Sequence, residues 1–219
     1  MIYLAEVGPY AWLIHLLAVA LLIWAAVTTN WKALRVHPGT HHFMFGAVLV
    51  LSGFWVLKAG VHDGLHFHIL GIAAITLLMG WRLALLVYAG VLAVMVLVGQ
   101  IGLQDWSVSF LLGVGLPVLV CYQFYLQVYR RLPHNPFVYI LVAGFLNAAL
   151  SQVVFVSSVS FWYWITEYHA PHLIWNDYLS YLILTLFPEG VTNGMFISGM
   201  VTFQPRWLST FDEDSYFGS

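Results

Sequence analysis

Three histidines and an aspartate occur within seven consecutive residues, at His62, Asp63, His66 and His68. Neutral imidazole nitrogen binds divalent Co, Ni, Zn and Cu well, and a nearby carboxylate adds the negative charge that a cation favours. In a helix, His62 and His66 share one face, whereas His68 faces another site unless the helix begins after Gly64. The pattern predicts a divalent-metal site with these four residues as ligands. The alternative is that the histidines lie at a membrane interface and bond to backbone or lipid headgroups.

Four further residues are secondary candidates for metal binding. His15 lies in the first apolar run, His169 and His172 lie in a short loop, and Glu189 lies in the last apolar run. A carboxylate at membrane depth is costly and therefore suggests a function. Glu189 could equally be an anion in the first turn of a helix that restarts after Pro188, where the helix dipole favours negative charge.

The composition excludes a soluble domain. The 219 residues are 62% hydrophobic and only 7% charged, against roughly 25% charged in soluble domains. Ten histidines outnumber the seven lysines and arginines, and the net charge of −2 provides no basic surface for nucleic acid. The chain is therefore expected to be a multi-pass protein of the inner or plasma membrane, with lipid as its surroundings.

The apolar segments predict an all-α, polytopic helical membrane protein that forms a single domain over residues 1–219. About 20 apolar residues cross a bilayer as a helix, and the segments suggest about seven transmembrane helices, within a range of six to eight. The apolar runs are 9–29, 43–59, 65–80, 82–101, 108–130, 136–165 and 172–203.

The basic residues predict the orientation, because Lys and Arg in short loops stay on the cytoplasmic side. Alternate loops place six of them on one side and only Lys58 on the other, so the N-terminus is expected outside and the C-terminus inside. The six are Lys32, Arg35, Arg82, Arg130, Arg131 and Arg206. The same assignment places four histidines inside, for which the sequence suggests no function: His37, His41, His42 and His134.

Several short motifs form a recognisable series along the chain. His68-Ile69-Leu70-Gly71 is followed by Gly80, by Gly99-Gln100 and by Asp105, and Pro188-Glu189-Gly190-Val191-Thr192-Asn193-Gly194 occurs near the end. In order and approximate spacing this series resembles the CbiM-like permease family of energy-coupling-factor transporters, which take up cobalt and nickel.

The resemblance implies a substrate-capture membrane component whose outward-facing pocket binds a divalent transition metal. It also implies partners, namely a transmembrane coupling protein and cytoplasmic ATPase subunits. His68 matches the family's metal-binding histidine. The family's other ligands come from an N-terminal Met-His, whereas this sequence begins Met1-Ile2-Tyr3. Either His62, Asp63 and His66 replace them, or the scaffold has been put to another use.

The leading hypothesis is a permease component for divalent Co, Ni, Zn or Cu that is not itself an enzyme. The sequence has no Gly-x-x-x-x-Gly-Lys-Ser/Thr motif for ATP binding, so energy is expected from the partners. One alternative is a membrane-embedded, histidine-rich metalloenzyme using iron or copper. Another is an accessory subunit of a larger membrane complex.

Overall fold

A computed structural model describes residues 2–4, 11–31, 39–57, 59–62 and 65–218, with the backbone alone at 39–41, 59 and 61. The described residues form six long helices, a two-stranded antiparallel hairpin and a short C-terminal helix. The helices are α1 (Ala11–Thr28), α2 (Gly39–Val56), α3 (Ile72–Leu97), α4 (Leu103–Arg131), α5 (Pro136–Ile165), α6 (Leu182–Phe203) and α7 (Glu213–Phe217), and the strands are β1 (Ala59–His62) and β2 (Leu65–Phe67).

Four of these helices are long and apolar enough to cross a membrane: α1, α3, α4 and α5. The apolar part of α2, His42–Val56, is shorter. The prediction of a helical, multi-pass membrane protein is therefore confirmed. The predicted count of seven crossings is not, and the orientation remains a prediction from the basic residues.

The largest difference from the sequence prediction concerns the apolar run 65–80. Its first residues form strand β2 instead of a helix, and the rest joins the next run in α3. The sequence holds a signal for this, because Asp-Gly between two apolar segments strongly favours a hairpin, and Asp63-Gly64 follows β1 directly. The hairpin pairs Gly60 with His66 and His62 with Leu65.

Two glycines shape α3. Gly71 precedes the helix with φ 70°, and Gly80 interrupts it with φ 79° and ψ 162°. These are left-handed or otherwise restricted conformations that glycine adopts at little cost because it has no Cβ. The chain can thus turn sharply out of the hairpin into α3, and α3 is divided into a short first half and a longer second half.

The helices pack around α3, which contacts α1, α2, α4, α5 and α6. Its buried side chains include Leu85, Tyr88 and Leu92, all fully enclosed. At the break in α3, the segment after α6 folds back and the N–H of Ser209 donates to the carbonyl oxygen of Leu78 at 2.9 Å. Because α3 touches most other elements, its first residues provide a rigid base for the preceding histidine segment.

Candidate metal-binding site

His62 and His66 lie on the hairpin, so the helical spacing expected for them is wrong. They belong to opposite strands, since His62 closes β1 and His66 is in the middle of β2. The ring of His66 crosses over β1, where a Cβ on Gly60 would lie 2.9 Å from the His66 Cδ2 atom. Gly60 therefore leaves the space that the His66 ring occupies. Asp63 lies outside the described residues, and its place as a ligand stays a prediction.

His62 has an acidic partner that the sequence prediction did not include. Its Nε2 atom lies 3.0 Å from Oδ2 of Asp177, on the π-helical segment Leu173–Tyr178. The His62 and Asp177 side chains are 37% and 42% exposed. In the sequence Asp177 lies near the loop 167–172 with its two histidines, but only the fold brings it into contact with His62, 115 positions away. This pair forms a polar, solvent-accessible group beside the hairpin.

The loop after α5 contributes one of its two candidate histidines to this group. The ring of His169 lies 6.4 Å from that of His62, between centroids, and 5.2 Å from that of Tyr163. His172 is exposed. The loop 167–172 therefore meets the hairpin through His169.

His68 lies just after β2, in the link to α3. Its ring meets the ring of Trp55 at 4.5 Å between centroids and that of Phe155 at 5.5 Å, both edge-to-face. Trp55 belongs to α2 and Phe155 to α5, so two helices enclose the imidazole. The aromatic contacts restrict the ring's position, as expected for edge-to-face pairs in a packed interior.

The backbone after His68 is held from several directions. Glu189 of α6 accepts the N–H of Leu70 through Oε2 at 2.7 Å and the N–H of Gly71 through Oε1 at 2.9 Å. The carbonyl oxygen of Leu70 accepts the Tyr88 hydroxyl at 2.8 Å and the Trp55 indole N–H at 3.4 Å. Three helices therefore bind a single peptide unit, and Leu70 is fully buried.

Asn193 completes this arrangement one turn along α6. Its Oδ1 atom accepts the N–H of Ala74 at 2.9 Å, and its Nδ2 donates to Oε1 of Glu189 at 2.8 Å. The unpaired N–H groups at a helix start need acceptors, and the helix dipole favours an anion there. Glu189 thus serves the start of α3, whereas the sequence alternative assigned it to a restarted α6. Instead, α6 continues through Pro188.

The N-terminal residues 2–4 insert between α4 and α5. Asp105 Oδ1 accepts the N–H of Leu4 at 2.7 Å, and the Tyr163 hydroxyl accepts that of Tyr3 at 2.8 Å. Ser109 exchanges hydrogen bonds with Ile2, accepting its N–H at 3.2 Å and donating to its carbonyl at 3.1 Å. Side chains therefore bind this short segment through its backbone.

Ile2 brings an apolar side chain toward the His68 region. A Cβ on Gly113 would lie 3.6 Å from Ile2 Cδ1 and 3.5 Å from the Phe155 ring. The same Phe155 ring contacts His68. The N-terminal segment and His68 thus share a neighbour, although nothing in the sequence of either segment links them.

His15 lies apart from the hairpin histidines and bonds through Nδ1 to Ser107 Oγ at 2.7 Å. In the loop between α4 and α5, His134 Nε2 lies 3.0 Å from the Tyr129 carbonyl oxygen, and His42 lines an apolar groove between α2, α3 and α6. His37 and the side chain of His41 are outside the described residues. Across the part of the chain that is described, no three His, Cys, Asp or Glu residues are grouped as a metal would require.

Comparison with protein families gives one match. The family model CbiM, described as the cobalt uptake substrate-specific transmembrane region, matches residues 7–207. The comparisons with curated proteins and with solved structures give no match. The family match covers the six long helices up to the end of α6 and includes the hairpin and His68.

Proposed function

The chain belongs to the CbiM family of cobalt uptake substrate-specific membrane components, and from this premise we propose that it captures a divalent transition-metal cation as substrate. Cobalt is the first candidate, since the family description names it. Nickel, zinc and copper share its affinity for imidazole nitrogen. The family match favours this function over the metalloenzyme and accessory-subunit alternatives.

The observation that carries the proposal is the built environment of His68. Its ring is enclosed by Trp55 and Phe155, and the following peptide is bound by side chains from three helices. A metal site needs ligands held near their binding geometry by surrounding contacts. His68 meets that requirement and matches the family's metal-binding histidine.

We propose His62, Asp63 and His66, from the same segment as His68, as the further ligands of the cation. The partly exposed group of His62, Asp177 and His169 is suited to attract a cation from solvent before it reaches His68. A negative side chain at an open site raises the local concentration of cations. Glu189 is assigned a supporting place, because both of its oxygens accept hydrogen bonds.

The proposal includes separate partners for energy coupling. A substrate-capture component of this kind works with a transmembrane coupling protein and cytoplasmic ATPase subunits, as the family resemblance implies. These partners would drive the capture component into a state with lower affinity for the cation, and the cation would then be released. Binding and a conformational equilibrium are coupled only when two states differ in affinity for the ligand.

The test is Co²⁺ binding to the purified chain in lipid nanodiscs, measured by isothermal titration and by metal analysis after desalting. We expect about one ion per chain for the native sequence, and loss of binding in the His66→Ala/His68→Ala double variant. His134→Ala is the control, because His134 lies in the loop between α4 and α5 and bonds to the backbone carbonyl of Tyr129. Equal Co²⁺ binding by native protein and double variant would overturn the proposal.

A further inference from the structure

We infer that Glu189, supported by Asn193, is the positioning residue that holds His68 in its binding geometry. This inference rests on the proposed function. It assigns the buried carboxylate of α6 to the loop in front of α3 instead of to the metal.

Glu189 binds the backbone close to His68 along the chain. Leu70 and Gly71 follow His68 by two and three residues, and both of their N–H groups donate to the one carboxylate. Because Glu189 holds the N–H groups of Leu70 and Gly71, only Ile69 separates this held backbone from His68. The position of the His68 backbone therefore depends on the position of α6.

A carboxylate fits this position better than an amide does. Leu70 and Gly71 donate to different oxygens of Glu189, so each N–H has its own acceptor. A glutamine has a single acceptor oxygen, and its NH₂ group would face the second N–H. Glu189 and Asn193 are 2% and 1% exposed, so water does not replace a missing acceptor without a local opening of the structure.

Glu189 is linked to the ring of His68 as well as to the start of α3. The peptide held by Glu189 is also held at its carbonyl oxygen by Trp55, whose ring packs on that of His68. A shift of Leu70 therefore moves the His68 backbone and disturbs its ring contact together. A cap serving only α3 would affect helix stability but leave metal affinity unchanged.

The experiment compares Glu189→Gln and Glu189→Ala with the native chain in nanodiscs. Contacts outside the coordination sphere that orient a metal ligand typically contribute about 10–100-fold to metal affinity. We therefore expect the Co²⁺ Kd of Glu189→Ala to be about 10–100 times that of the native chain. Glu189→Gln, which keeps one acceptor, should lie between Ala and native protein. Stoichiometry at saturating Co²⁺ should stay unchanged in both. The control is Asp214→Asn, which removes an exposed carboxylate from the C-terminal helix.

A second readout requires no metal. Amide hydrogen exchange of the peptide spanning 68–74 should be faster in Glu189→Ala, intermediate in Glu189→Gln and native-like in Asp214→Asn. Native Co²⁺ affinity with native exchange in both Glu189 variants would overturn the inference. Loss of stoichiometry with unchanged exchange would also overturn it, because that result identifies a direct ligand.

The His68→Ala variant distinguishes the two proposals. If His68→Ala binds Co²⁺ like native protein, His68 is not a ligand and the positioning inference is overturned, whereas the proposed cation capture is overturned only by equal binding of the native protein and the His66→Ala/His68→Ala double variant. If His68→Ala loses binding while Glu189→Ala retains native affinity, the function stands and the positioning inference is overturned.

Discussion

Thr210 donates its hydroxyl hydrogen to the carbonyl oxygen of Leu77 at 2.7 Å, across the break that Gly80 makes in α3. The carbonyl groups before such a break lack the helical N–H groups that would otherwise bond to them. The segment after α6 supplies the missing donors, and the Tyr139 hydroxyl lies 2.6 Å from the same Thr210 oxygen. A chain segment 133 positions later thus completes the hydrogen bonding of α3.

Thr210→Val should destabilise the fold by about 1–3 kcal/mol, the cost of leaving a buried acceptor without its donor. The measurement is the free energy of unfolding in mixed detergent micelles. Thr202→Val is the control, because Thr202 is exposed and bonds within its own helix. It should change stability by less than about 0.5 kcal/mol, the usual range for surface changes. Equal values for the two variants would contradict the importance of the Thr210 contact.

Tyr163→Phe should loosen the N-terminal segment. The substitution keeps the ring but removes the oxygen that accepts the Tyr3 N–H, at a cost of about 1–3 kcal/mol for the unsatisfied group. Hydrogen exchange at residues 2–4 would report the release. Tyr168→Phe, at an exposed neighbouring ring, is the matched control. Native protection of the segment in Tyr163→Phe would show that the remaining contacts suffice.

Gly71→Ala should lower both stability and metal affinity. At φ 70° an alanine is strained, and its Cβ would lie 2.8 Å from the Leu51 Cδ2 atom, so we expect a cost of about 1–3 kcal/mol. Gly53→Ala is the control, and it should raise stability instead of lowering it. A Cβ there meets no atom within 4 Å, and replacing a helical glycine by alanine stabilises by about 0.5–1 kcal/mol. Thermal unfolding of both variants, with Co²⁺ titration, checks the prediction.

Asp177→Asn should slow Co²⁺ capture while leaving the fold intact. Because His62 and Asp177 are each more than one third exposed, solvent screens the pair and its loss should change stability by less than about 1 kcal/mol. Under the proposed function, removing the negative charge lowers the association rate most at low ionic strength. Stopped-flow competition with a Co²⁺ indicator measures that rate, with Asp214→Asn in the exposed C-terminal helix as control. An unchanged rate at low salt would exclude Asp177 from capture.

Part of the candidate site could be identified from the local sequence, and part could not. His62, His66 and His68 were recognisable because their residue type and close spacing are local properties. The helical spacing predicted for His62 and His66 was wrong, because a short apolar run is compatible with either a helix or a strand. The Asp63-Gly64 dipeptide, which favours a hairpin, was the signal that distinguishes the two. Asp177 could not be assigned from the sequence, because no local pattern links it to His62.

The amino-acid sequence by itself determined that this is a helical, multi-pass membrane protein of the CbiM type, because apolar run length and motif order are encoded along the chain. Tertiary structure alone decided which side chains bind the backbone groups around the start and the break of α3. Glu189 meets Leu70 across 119 positions, and Thr210 meets Leu77 across the break in α3. Such pairings follow from how the helices pack around α3, since buried N–H and carbonyl groups must find partners wherever the fold brings them.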